Sequence, residues 1–191
     1  MTSISAGTAE RQDELATRGY CVLRGIVPRD AVEDALRMLH LDLVRRGAPA
    51  EELGQWLWSV HWFPHLNWEP QIAGLAGWLP PELRDGELCD PQILLQPPDD
   101  CDDQDLVPHV DREPDWADGR RFLRIVGIAL SPATAANGGL RVWPLDGEPP
   151  HPLQLDAGDA VVMHPDLPHS SGLNRRGAIR YAVYLRFLEP R

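Results

Sequence analysis

The chain has 191 residues, 43% of them hydrophobic, enough to bury one well-formed core and too few for two comfortable ones. Its formal net charge is −11 and all 18 basic residues are arginine, so its surface repels nucleic acid and anionic membranes. No run approaches the roughly 18 apolar residues of a membrane span, and "MTSISAGTAERQDEL" has neither the basic start nor the apolar stretch of a secretory signal, which predicts a cytoplasmic protein.

The first third reads as helical. "TAERQDELATRG" starts at Thr8 and stops at Gly19, and the short apolar run "YCVLRGI" after it suits a strand. "PRDAVEDALRMLHLDLVRRG" has Pro28 at its start, apolar positions at Val32, Leu36, Leu39 and Leu43, and Gly47 as its stop, which predicts an amphipathic helix. Residues 48–88 carry Trp56, Trp58, Trp62, Trp68 and Trp78 among prolines. These rings either pack the core between helices and sheet or line a substrate pocket. From residue 90 the pattern changes to short strands: "PQILLQPP", "RFLRIVGIALS", "GLRVWP", "HPLQL", "DAVVMH" and "IRYAVYLRFL", with the turns "ANGG", "LDGEPP" and "DAGD" between them. In "RYAVYLRF" the residues Tyr181, Val183, Leu185 and Phe187 share one face, and Arg180, Ala182, Tyr184 and Arg186 share the other. A strand with one greasy and one mixed face suits a small barrel with helices outside and a working pocket inside. The acidic run "DDCDDQD" at 99–105 reads as a solvated loop, and Cys21, Cys89 and Cys101 form no CxxC pair and read as reduced thiols.

The stretch "VVMHPDLPHSSGLN" holds His164, Asp166 and His169 within six positions. It makes a poor site by itself. Pro165 and Pro168 interrupt it, and the odd spacing of the histidines turns them to opposite faces of an extended chain. "LVPHVDREP" offers a second half: His109 and Asp111, two apart, share a strand face about 6–7 Å apart. One further histidine from a distant strand would complete two imidazoles and one carboxylate, the facial set of non-haem Fe(II) oxygenases, with three positions open. Arg180, on the mixed face of the last strand, is able to grip a carboxylate with two parallel hydrogen bonds, and Ser171 adds a hydroxyl donor to the same group. His40, His61, His65 and His151 read as structural; the proline in "HWFPHLNW" spoils a helical metal pair.

With these residues in view, "GYCVLRGIVPRDAVEDALRML", "QILLQPP", "VPHVD", "ANGGLRVWP" and "AGDAVVMHPDLPHSSGLNRRGAIR" resemble the phytanoyl-CoA dioxygenase (PhyH-like) family of Fe(II)/2-oxoglutarate oxygenases. The resemblance covers about residues 19–47 and 90–188. It implies a mainly β fold, a double-stranded β-helix (jelly roll, cupin-like) with N-terminal helices packed on the major sheet. One domain would span 1–191, helical over about 8–85 and jelly roll over about 90–188. It implies His109, Asp111 and His169 as iron ligands, Arg180 on the distal carboxylate of 2-oxoglutarate with help from Ser171, and His164 outside the metal's reach. Fe(II), 2-oxoglutarate and O₂ would be the cofactor and co-substrates. The chain departs from the family's pattern at Gln96, where a lysine is frequent, at Gly127, where a tryptophan is frequent, and at "LDGEPP". Gln92 shares a strand face with Gln96 and is a further candidate for the co-substrate.

The expected function is that of an Fe(II)/2-oxoglutarate-dependent dioxygenase hydroxylating or otherwise oxidising a small molecule, in bacterial secondary metabolism. The acidic charge argues against a CoA thioester as substrate. The rival readings are a cupin-type metal-dependent isomerase or lyase and a non-catalytic jelly-roll binding protein.

Overall fold

A computed structural model of the chain describes residues 3–46, 63–98, 107–111 and 118–191. Helix α1 (Ser3–Arg18) begins one turn before the Thr8 start that the sequence suggests, and Gly19 closes it. Gly19 has φ +80°, and its amide donates to the Leu15 carbonyl at 3.1 Å, the left-handed helix ending that glycine makes without strain. Strand β1 (Tyr20–Leu23) follows directly. Helix α2 (Arg29–Arg46) has Asp30 in its first turn and Arg45 and Arg46 in its last, matching the helix dipole at both ends. A short helix (Pro70–Ala73) and 3₁₀ turns at Gly74–Trp78 and Pro81–Leu83 lead to the strands. The expected stop at Gly47, the rings Trp56, Trp58 and Trp62, His61, Cys101 and the acidic run 99–105 lie outside the described residues.

Eight further strands follow: β2 (Glu87–Leu88), β3 (Gln92–Gln96), β4 (Phe122–Ala129), β5 (Leu140–Val142), β6 (His151–Pro152), β7 (Ala160–Met163), β8 (His169–Ser171) and β9 (Arg180–Leu188). The larger sheet runs β1-β7-β4-β9-β2, with β3 also paired to β9; the smaller runs β6-β5-β8. Every strand pairing among the described residues is antiparallel, as for β4 with β9 and β5 with β8.

Alternation decides what each face does. The outward residues Ile93, Leu95, Val162, Val183, Leu185 and Phe187 pack with Val32, Ala35 and Leu39 of α2 in one apolar cluster, so the helices cover the outside of the larger sheet. A second cluster joins Ile125, Ala129, Val161 and Met163 of that sheet to Leu140 and Val142 of the smaller one, so the two sheets face each other. This is a jelly roll with N-terminal helices on its major sheet. Leu39 is fully buried, and truncating such a leucine to alanine costs roughly 2–5 kcal/mol.

Trp68 and Trp78 are 58% and 47% exposed, so neither is the core ring that the sequence suggested, and neither lines the cavity between the sheets. Among the described residues, no helix is long and apolar enough to cross a membrane.

Candidate metal and co-substrate site

The inward residues of β3 and β9 and those of β8 enclose a cavity of about 170 Å³, lined by His109, Asp111, His169, Gln92, Tyr184 and Arg186 among others. His169 opens β8, a three-residue strand that proline-rich "HPDLPHSS" conceals in the sequence. His109 is not in a strand at all. It forms a single antiparallel bridge with His169, each backbone amide donating to the other's carbonyl at 2.9 Å. The strand expected for His109 and Asp111 is thus replaced by one pair of reciprocal hydrogen bonds.

Those bonds bring the two imidazoles to 4.7 Å between ring centres. His109 Nδ1 lies 3.2 Å from the Val107 carbonyl, and His169 Nδ1 lies 3.0 Å from the Leu167 carbonyl. A carbonyl only accepts, so each Nδ1 carries the proton and each Nε2 keeps its lone pair for a cation. Burial holds the His169 pKa below its ordinary value, which keeps the ring neutral. Both Nε2 atoms lie 3.9 Å from Asp111 Oδ1. One ligand atom from each of the three residues lies within 4.8 Å of the others, close enough to surround one ion.

Asp111 Oδ2 accepts from Arg186 Nη2 at 2.8 Å and from Nε at 3.1 Å. His164 stands apart. Its side chain is 43% exposed, and its Nδ1 accepts from the Asp166 amide, while the Asp166 carboxylate pairs with Arg121.

Deeper between the sheets, a second and narrower cavity shares Tyr184 and Leu140 with the first and is lined also by Gly127, Ala129, Val161 and Arg180. Arg180 is 3% exposed, and burial lowers its pKa while the Tyr184 hydroxyl beside it supports the charge. Its Nε and Nη2, the two nitrogens that form a side-on fork, have no hydrogen-bond partner among the described residues. Gln96 pairs with Arg180 across β3 and β9, is 1% exposed, and has neither its amide oxygen nor its nitrogen bonded. Buried polar groups without partners are rare and costly, and a carboxylate in this place would accept from the Arg180 nitrogens and the Gln96 amide nitrogen. The donor types therefore match an Fe(II) ion at the triad and a carboxylate beside Arg180, where the second cavity, about 10 Å³, has the room of one water.

In the sequence Gln96 stands only as a departure from the family; its register opposite Arg180 makes it the stronger co-substrate candidate. Gln92 sits at the triad end, where its Nε2 donates to Asp90 at 2.6 Å, and Ser171 lines the same cavity two residues beyond His169. The departure at Gly127 has a steric reason. A Cβ there would lie 2.9 Å from Tyr184 Cε1 and 3.2 Å from Val161 Cγ1, so the Tyr184 ring occupies the space.

The phytanoyl-CoA dioxygenase (PhyH) family matches residues 143–182, a segment that carries His169 and Arg180. No curated protein sequence matches the chain. Among solved structures, the chain is similar to the non-haem alpha-ketoglutarate-dependent carbocyclase SnoK from nogalamycin biosynthesis, with TM-score 0.69 and 15% identity over 94% of this chain and 83% of that one. It is similar to the epimerase SnoN in complex with Fe³⁺, alpha-ketoglutarate and nogalamycin RO, with TM-score 0.61 and 18% identity over 97% and 84%. It is also similar to AviO1 from Streptomyces viridochromogenes Tue57, with TM-score 0.62 and 18% identity over 95% of each chain. At these identities the likeness is one of fold.

Proposed function

We propose that this PhyH-like enzyme, of the Fe(II)/2-oxoglutarate-dependent oxygenase class, oxidises a C–H bond of a small molecule, with hydroxylation as its outcome and His109, Asp111 and His169 as its iron ligands. One observation carries the reading: three converging ligand atoms share a cavity system with a buried guanidinium whose fork has no partner. Fe(II) with 2-oxoglutarate and O₂ supplies the oxidising power; the protein supplies position and exclusion of water.

Each residue then has a definite task. The Val107 and Leu167 carbonyls hold the two imidazoles in the tautomer that offers Nε2. Arg180 takes the distal carboxylate of 2-oxoglutarate through Nε and Nη2, and Gln96 and Ser171 offer further donors along the way. Tyr184, with Leu94 and Leu140, walls the passage and strengthens the charge pairing by keeping it dry. Gln92 acts at the triad end.

Residues 1–191 act as one oxygenase domain in the cytoplasm, and the substrate belongs to bacterial secondary metabolism. That last step is supported by the nogalamycin biosynthesis origin of SnoK, a structural neighbour. A CoA thioester is not the substrate: the net charge is −11, and the cation beside the triad, Arg186, is already paired with Asp111. Micromolar binding of an acyl-CoA in calorimetry, displaced by free coenzyme A, would show the opposite.

The decisive experiment adds Fe(II) and 2-oxoglutarate without oxygen, then admits oxygen. The reading expects the weak visible band of a metal-chelated keto acid, followed by succinate release. A cupin-type isomerase or lyase gives no band, and a binding protein gives the band without oxygen-dependent succinate.

A further inference from the structure

We infer that Arg186, backed by Asp90 and Gln92, is a positioning residue that restricts Asp111 to a single metal-binding oxygen. The inference rests on the iron reading above and adds a constraint on how the carboxylate binds. Among the described residues, the segment that carries Asp111 is joined to β8 by the backbone bridge at His109, and the carboxylate is oriented by side-chain partners. The side chain is 16% exposed and held from outside. Two guanidinium nitrogens of Arg186 converge on Oδ2, at 2.8 and 3.1 Å, while Oδ1 is the oxygen 3.9 Å from both imidazole Nε2 atoms.

The consequence follows from coordination geometry. A carboxylate that binds through both oxygens takes two positions on an ion, and with two imidazoles it would leave a six-coordinate ion only two others. A keto acid chelating through two atoms would then fill the ion and leave no place for O₂. With Oδ2 committed to two charge-assisted hydrogen bonds, only Oδ1 is offered, and three positions stay open.

Arg186 is itself fixed. It lies on β9, facing inward, and its backbone carbonyl accepts from the Cys89 amide at 3.0 Å and from the Cys89 thiol at 3.3 Å. Its Nη1 lies 3.5 Å from Asp90 Oδ2, and the same oxygen accepts from Gln92 Nε2 at 2.6 Å. The order Gln92, Asp90, Arg186, Asp111 is one continuous polar chain ending at the ligand. These engagements also mean that Arg186 is not a free fork for the co-substrate, unlike Arg180.

The test uses the full chain loaded with Co(II), without turnover. Carbon-13 labelling of aspartate carboxylates and difference infrared spectroscopy on adding Co(II) report the splitting of the two carboxylate stretches, wide for one-oxygen binding and narrow for two-oxygen binding. The wild type should show the wide splitting and Arg186→Met the narrow one. Arg186→Met should also bind 2-oxoglutarate about 10–100-fold more weakly in the Co(II) form while its Co(II) affinity changes less. Arg186→Lys keeps the charge and one donor and should recover most of both; Arg186→Gln, polar and uncharged, should show the narrow splitting if Arg186→Met does not fold. The inference is overturned if Arg186→Met keeps the wide splitting, or if Co(II) affinity and melting temperature fall together with no recovery in Arg186→Lys, which would make Arg186 a scaffold residue only. A wild type that binds Co(II) but not 2-oxoglutarate would sink the functional reading, and the infrared splitting would still decide the role of Arg186.

Discussion

At the histidine end of the cavity, both imidazole Nδ1 atoms, Asp111 Oδ2 and the Arg186 guanidinium all have partners inside the protein. At the Arg180 end, Nε and Nη2 of the guanidinium and both amide atoms of Gln96 have none among the described residues. The first end has its orienting bonds in place already, and the atoms it leaves open, both Nε2 and Asp111 Oδ1, face the larger cavity. The second holds desolvated donors whose missing bonds are restored only when a ligand enters. A fold tolerates the second arrangement where binding is the return for it, so under the proposed function the contrast separates a pre-set metal cradle from a co-substrate slot.

The largest effect tests the cradle. Alanine in place of His109, Asp111 or His169 should abolish iron-dependent turnover and leave the dialysed protein without stoichiometric iron. A single variant that retains wild-type iron content would remove that residue from the set. Next comes the slot. Arg180→Ala should weaken 2-oxoglutarate binding by roughly 2–5 kcal/mol, seen in calorimetry, with iron affinity unchanged. In the ligand-free protein Arg180→Met should melt no lower than wild type, because it removes a buried charge that has the Tyr184 hydroxyl beside it but no partner for Nε and Nη2 among the described residues. A clear drop in melting temperature would mean that Arg180 supports the fold, and the contrast between the ends would collapse.

Asp159 supplies the opposite control, a buried carboxylate that is fully partnered. It accepts from the Gly25 amide at 2.7 Å, the Asp156 amide at 2.9 Å and Arg24 at 2.6 Å. Burial pushes its pKa up, but the two amides and Arg24 outweigh it and hold the carboxyl below the ordinary value. Arg24 is 62% exposed, so solvent screens its share and the amides carry most of the effect. Asp159→Ala should cost roughly 1–3 kcal/mol in denaturant unfolding near neutral pH. The folded pKa is depressed, so this stability is complete above the unfolded value of about 3.9 and is lost as pH falls through the folded one. The gap between wild type and variant should therefore close in acid, and a gap independent of pH would exclude the ionised carboxylate as its cause. The smallest effect is expected at His164, where His164→Ala should leave iron affinity unchanged; a loss matching that of His169→Ala would redraw the triad.

The strands that form the walls were legible because their burial repeats every second residue. In β9 the alternation separates Val183, Leu185 and Phe187, under the helices, from Ala182, Tyr184 and Arg186, toward the cavity. Strands β2 and β8, of two and three residues, are too short for any period to show. The exposure of Trp68 and Trp78 was not legible either, since a large apolar ring says nothing of which side of a short helix it occupies. The residue types of the triad could be picked out from spacing, but choosing His169 over His164 needed the family resemblance. The pairing of Arg186 with Asp111 spans 75 residues and the opposition of Gln96 to Arg180 depends on strand register, so neither leaves a local trace.

The reciprocal amide–carbonyl pair between His109 and His169 has a consequence for how such a chain diversifies. It works as a clasp, fastening a ligand-bearing stretch to β8 at one point and not along a ladder. Insertions upstream of Val107 or downstream of Asp111 change the entropy of loop closure only slowly with length, so the clasp can persist while its flanks lengthen or shorten. His109 itself is 40% exposed at the open side of the cavity. Under the proposed function, the chain on either side of the clasp can therefore change in length while the ion's cradle stays in place.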